Sequence, residues 1–93
     1  MSGETSLKKT FTICNARGLH ARSAAKFVKC TDGFTAQVQV DRDGNSVSGG
    51  SIMSLLMLGA AQGSQIEVSA TGPQAAEVLA ALEALIDSGF GEN

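Results

Sequence analysis

Four short stretches of this chain alternate apolar and polar residues, and each keeps one polar face. Phe11 and Ile13 alternate with Thr10 and Thr12, and Ala36, Val38 and Val40 with Gln37 and Gln39. Ser46-Val47-Ser48 is shorter, and Ile66, Val68 and Ala70 alternate with Gln65, Glu67 and Ser69. A period of two sends successive side chains to opposite faces, so strands are predicted over 9–14, 35–41, 46–48 and 64–70. Strands with one polar face suit an antiparallel sheet covered on one side only.

Helical spacing fills the gaps. Ala24, Phe27 and Val28 give a short amphipathic helix ending near Cys30, followed by an Asp32-Gly33 turn. Asp43-Gly44 between two strand patterns signals a hairpin. Ser51 is placed to cap a second helix, with Gly59 near its end. Pro73 suits the first position of a third helix with the stripe Ala75, Val78, Leu79, Leu82, Leu85 and Ile86, stopped by Gly89. The expected fold is α/β (α+β): an open-faced sandwich in β-α-β-β-α-β-α order, with a four-stranded antiparallel sheet and three helices on one face. One domain is expected over residues 1–93, with its core over about 8–89.

Composition narrows the function. The net charge is −2, Trp and Tyr are absent, and the four Phe are scattered, which argues against nucleic acid as a partner. The longest apolar stretch, Ile52 to Ala61, is far short of the ~18–20 residues that span a bilayer. MSGETSLKKT contains no apolar signal segment, so a cytoplasmic location is expected. Cys14 and Cys30 lack CxxC spacing and read as small, semi-buried thiols; no metal and no cofactor are expected.

The segment Arg17-Gly18-Leu19-His20-Ala21-Arg22-Ser23-Ala24 holds the only histidine, where a Gly-bearing loop enters a helix. Unpaired N–H groups and partial positive charge make a helix start favourable for anions. Neutral imidazole is a competent nucleophile near pH 7, so His20 could accept a phosphoryl group. Arg17 and Arg22 would compensate the added charge, and Ser23 and Ala24 lie in the first turn as candidate phosphate-binding residues. The plainer alternative is a surface histidine that caps a loop. In the second helix, residues 52–58 hold six apolar side chains in seven. Leu55 and Leu58 are assigned to the core, leaving Ile52, Met53 and Leu56 as an outward patch for a partner.

GLHARSAAKFV, SIMSLLMLGAAQG and the order of elements resemble the HPr family, the histidine-containing phosphocarriers of the bacterial phosphotransferase system. The resemblance covers about residues 8–89. It implies that His20 takes a phosphoryl group on Nδ1 from Enzyme I and passes it to a IIA-type acceptor, with Arg22 beside the phosphate. It implies that Ser51 is a target of HPr kinase/phosphorylase, and that Ile52, Met53 and Leu56 dock partners. The family's proline after the arginine is Ser23 here. The segment GSQIEVSATGPQAAEVLAALEALIDSGFGE resembles the nitrogen-type branch, whereas Ser51 within SIM is typical of sugar-type members. A monomeric carrier in a regulatory relay is the expectation, with a sugar-transport carrier as the alternative. A small-molecule-binding regulatory domain and a nucleic-acid-binding sheet are remoter rivals. The first lacks an expected cleft, and the second lacks aromatic residues on its open face.

Overall fold

The computed structural model describes residues 6–92. Strand β1 (Ser6–Thr12) leads to helix α1 (Ala21–Asp32), then to strands β2 (Gln37–Arg42) and β3 (Asn45–Ser48). Helix α2 (Ile52–Met57), strand β4 (Gln65–Thr71) and helix α3 (Ala75–Asp87) follow, and a single 3-10 turn spans Gly89–Gly91. All neighbouring strands are antiparallel, in the order β1-β4-β2-β3.

Register places the apolar rows in line. Phe11 pairs with Ile66, Val38 with Ala70, and Val40 lies between Val68 and Val47. Phe11, Val40, Ile66, Val68 and Ala70 are buried under the helices with Phe27, Leu55, Val78, Leu82 and Ile86. Each fully buried large side chain contributes roughly 1.5–3 kcal/mol relative to exposure. The opposite face stays polar: Lys8 pairs with Glu67 at 3.6 Å, and Gln39 donates to Ser46. Asp43 and Gly44 both have positive φ, as a two-residue hairpin with a mirror-image turn requires.

Several boundaries differ from the sequence expectation. β1 starts at Ser6 because its pairing runs along all of β4 to Thr71. Ile13 lies just beyond the strand, buried, with its N–H donating to Ser64 O at 2.9 Å. α1 continues past Cys30 to Asp32, since Thr31 adds another buried position and donates to Val28 O. Pro73 does not occupy the first position of α3. Gln74 takes the cap, because its N–H donates to Thr35 O at 3.1 Å while its side-chain oxygen accepts from Thr35 N–H at 2.7 Å. That tie holds Pro73 in the preceding turn. The 3-10 turn was not expected, and it buries Phe90 completely.

Candidate functional site

The loop between β1 and α1 is folded by its own polar groups. Asn15 Nδ2 donates to Gly18 O at 2.8 Å, and Gly18 N–H returns to Asn15 O at 3.1 Å. Leu19 N–H then donates to Ala60 O at 2.8 Å, which joins this loop to the segment after α2. Gly18 has φ +66°, and a Cβ there would lie 2.4 Å from Ala60 O. Only glycine accommodates both the left-handed backbone and that approach.

His20 follows in extended backbone and is the N-cap of α1. Its Nδ1 accepts from Arg22 N–H at 3.3 Å. A reciprocal box forms with Ser23: the imidazole accepts from the Ser23 backbone N–H, and Ser23 Oγ accepts from His20 N–H at 2.9 Å. A backbone N–H can only donate, so Nδ1 carries its lone pair and the ring proton resides on Nε2. Nε2 then donates to Glu92 Oε2 at 2.5 Å. The His20 and Glu92 side chains are only 17 % and 18 % exposed. His20 thus caps the start of α1 through Nδ1, whose lone pair accepts from the first-turn amides.

Glu92 is held from two sides. Asn15 Nδ2 donates to Glu92 Oε1 at 3.0 Å, leaving Asn15 Oδ1 buried without a partner. Lys26 Nζ donates to Phe90 O at 2.6 Å and pins the turn that leads to Glu92. The Glu92 carboxyl is lowered in pKa chiefly by the Asn15 hydrogen bond. Burial opposes this, and the His20 hydrogen bond, His20 charge and Arg17 charge add to it. Arg17, Arg22, Lys26 and Glu92 line one cleft together with Ala16 and Gly91. No acidic residue lies in the first turn of α1, so positive charge dominates around this carboxylate.

The structure brings His20, Arg17, Arg22 and Ser23 to one end of α1 but alters what two neighbours can offer. The Ser23 hydroxyl is fully buried and donates to Gly18 O at 2.9 Å, so only its backbone N–H faces the imidazole. Ala24 N–H is committed to His20 O at 2.8 Å, inside the helix. Arg22 and Ser23 are thus the first-turn amides directed at the ring. Asn15 and Glu92 were missed in the sequence. Glu92 is an isolated acid after Gly-Phe-Gly, and no local pattern relates it to a histidine 72 residues earlier.

Around α2, Ser51 is the N-cap and accepts from Ser54 N–H at 3.2 Å. Leu55 and Leu58 are buried as expected. Leu56, however, is half-buried and packs on the core. The outward apolar side chains are Ile52, Met53 and Met57, at 38 %, 71 % and 81 % exposure. The helix lies against α1, so its surface adjoins the element that carries His20.

Away from this site, an open groove of about 610 Å³ runs beside β2 and β3, lined by Phe34, Val38, Val47, Ser69 and Asp32 among others. The sandwich is therefore less flat than its size suggests, although Asp32 is the one ionisable group lining this groove. Cys14 and Cys30 are free thiols, and burial raises the pKa of Cys30. Among the described residues, no three potential metal ligands cluster, and no helix is long and apolar enough to cross a membrane.

The open-faced sandwich presents one histidine at a cationic helix start, which defines a class of small domain suited to holding an anionic group there. Comparison with known proteins gives this class a family. Residues 7–88 match the family described as the PTS HPr component phosphorylation site, PTS being the phosphotransferase system. The phosphocarrier protein NPr of Escherichia coli K12 is 48 % identical over 88 residues, covering 94 % of this chain and 98 % of that protein. The phosphocarrier protein HPr of Neisseria meningitidis serogroup A is 43 % identical over 86 residues, covering 92 % and 97 %. The crystal structure of HPr-C-His from Thermoanaerobacter tengcongensis superposes with a TM-score of 0.90 at 41 % identity, covering 94 % and 98 %. The chain belongs to the HPr family: it is a phosphocarrier of the phosphotransferase system, not a catalytic enzyme.

Proposed function

We propose that His20 is the phosphoryl-accepting residue, that phosphorylated Enzyme I supplies the group, and that a IIA-type protein receives it. The observation that carries this reading is the orientation of His20. Its Nδ1 lone pair faces the N–H groups of Arg22 and Ser23, where oxygens of an incoming phosphoryl group would find donors. The nucleophile and its anion-binding surroundings are assembled by the same cap. Arg22 and Arg17 extend positive charge into the adjoining cleft. Incubation with phosphoenolpyruvate and Enzyme I should place an acid-labile phosphate on His20, and His20→Ala should fold and remain unlabelled. Labelling of that variant overturns the assignment.

The exposed Ile52, Met53 and Met57 side chains serve, on this reading, as the docking surface for Enzyme I and the acceptor. Ser51 at the edge of that surface is a regulatory phosphorylation site for HPr kinase/phosphorylase. Its phosphate would add about −1.5 to −2 charges beside apolar contacts that a partner must cover. Ser51-phosphorylated protein should therefore receive phosphate from Enzyme I more slowly, whereas Ser51→Asn, which keeps a cap without charge, should not. We place the carrier in the cytoplasm as a monomer.

The nitrogen-type relay is the favoured branch, supported by likeness to NPr and by the C-terminal third of the sequence. The sugar-transport alternative draws on Ser51 and on the HPr relatives. Offering the His20-phosphorylated form to regulatory and sugar-type IIA proteins separates the two by which one accepts phosphate.

A further inference from the structure

We infer that Glu92 is a positioning residue for phosphoryl transfer, a fixed negative partner that keeps the proton on Nε2 of His20 before, during and after Nδ1 is phosphorylated. The inference rests on His20 as the acceptor, as proposed above. It starts from geometry: Nε2 donates to Glu92 Oε2 at 2.5 Å, and Glu92 Oε1 is anchored by Asn15 Nδ2 at 3.0 Å. The carboxylate is held by the chain and not carried there by the imidazole alone. Phe90, fully buried, and the Lys26 bond to its carbonyl fix the approach of this segment. Glu92 lies outside the span of the family match, residues 7–88.

The chemistry gives the contact a purpose. When the Nδ1 lone pair forms a bond to phosphorus, the bond between phosphorus and the donor's leaving group breaks, and that group keeps the electron pair. The imidazole retains its Nε2 proton and becomes positively charged. A carboxylate in hydrogen-bond contact with Nε2–H favours this cationic ring over the neutral one. In the onward step, phosphorus leaves a ring that still carries the Nε2 proton, so the departing group is neutral imidazole, not an anion. By keeping the Nε2 proton in place, Glu92 lets the ring take up positive charge on gain and leave as neutral imidazole on loss, so it speeds transfer in both directions. The other charged groups lining the cleft, Arg17 from the loop and Arg22 and Lys26 from α1, are all cations. They favour phosphate but oppose a cationic ring, which leaves Glu92 as the acidic group lining that cleft that offsets them.

The test uses the whole chain with its histidine labelled with 15N, comparing the native protein with Glu92→Gln and Glu92→Ala. Gln keeps the size and an acceptor oxygen but removes the charge. Phosphoryl gain from phosphorylated Enzyme I, and return to dephosphorylated Enzyme I, should each slow by about ten- to a hundredfold in both variants. In the phosphorylated native protein at neutral pH, the Nε2 resonance should have the protonated, pyrrole-like character, and in both variants it should shift toward the unprotonated type. Unchanged rates in both directions overturn the inference. So do slower rates with an unshifted Nε2 resonance, because Glu92 would then act only on local structure. If the native protein is labelled on a residue other than His20, the functional assignment fails first, and this inference falls with it.

Discussion

Ser23 and His20 hold each other at the start of α1: the Ser23 hydroxyl accepts from the His20 N–H at 2.9 Å, and the Ser23 N–H points back at the His20 ring. A proline at this position, as in the family pattern, would supply neither the hydroxyl nor the N–H. Ser23→Ala should cost about 0.5–2 kcal/mol, because His20 N–H and Gly18 O lose a buried partner. Thermal unfolding should fall by several degrees, at roughly 4–8 °C per kcal/mol for a domain of this size. Ser23→Pro should also change the rate of phosphoryl gain, since one of the two amides facing Nδ1 is gone. A rate and Tm equal to the native protein's would show that the box contributes nothing.

Gly18 should be among the least replaceable residues of the loop. Alanine would have to adopt φ +66° and sit 2.4 Å from Ala60 O and 2.8 Å from Ala61 Cα. The left-handed backbone alone costs about 1–2 kcal/mol, and the displaced carbonyl adds to it. Gly18→Ala should destabilise by at least about 2 kcal/mol in chemical denaturation and shift the amide resonances of Leu19 and His20. A neutral effect would mean that the two loops separate freely.

The division of α2 can be tested with paired substitutions. Met53→Glu should leave the unfolding midpoint nearly unchanged and weaken association with Enzyme I, because the side chain is 71 % exposed. Leu55→Ala, at a fully buried position, should instead cost about 2–5 kcal/mol. Calorimetry of both variants checks the assignment. Unfolding by Met53→Glu would place that residue in the core.

Acid should release the Glu92 contact late. The Asn15 hydrogen bond is the largest cause holding this carboxyl below its ordinary value of 4.5. A lowered value in the folded state means that the ionised form contributes stability fully above pH 4.5. That contribution is lost as pH falls through the lower, folded value. The Glu92 carboxyl carbon resonance, followed by NMR, should therefore titrate with its midpoint below 4.5. A midpoint at or above it would show that Asn15 and His20 do not hold the carboxylate.

Periodicity located all four strands and all three helices because each has one face against a shared core, and burial selects one side-chain parity or stripe. It misplaced ends where tertiary bonds decide them. Pro73 fits a first helical position by local chemistry, but the double tie between Gln74 and Thr35 moves the cap two residues on, from Gly72 to Gln74. Leu56 fits an outward stripe at 100° per residue, but the short α2 packs deeply enough to half-bury it and turns Met57 outward instead. His20 stands out in the sequence because it is unique and lies near Gly18 and two arginines, and the structure puts it at the start of α1. Its contact with Glu92 was not legible, because it depends on where Phe90 is buried, and no repeat or spacing encodes that.

The bond between His20 and Glu92 joins positions 72 residues apart, most of the described length. In any chain made from its N-terminus onward, the histidine appears well before the carboxylate. Until the final turn has folded back over α1, the ring lacks its anionic neighbour, however much of the sheet has already paired. The contact thus forms only once the Gly89–Gly91 turn has docked, so His20 gains its anionic neighbour from long-range packing and not from the loop that bears it.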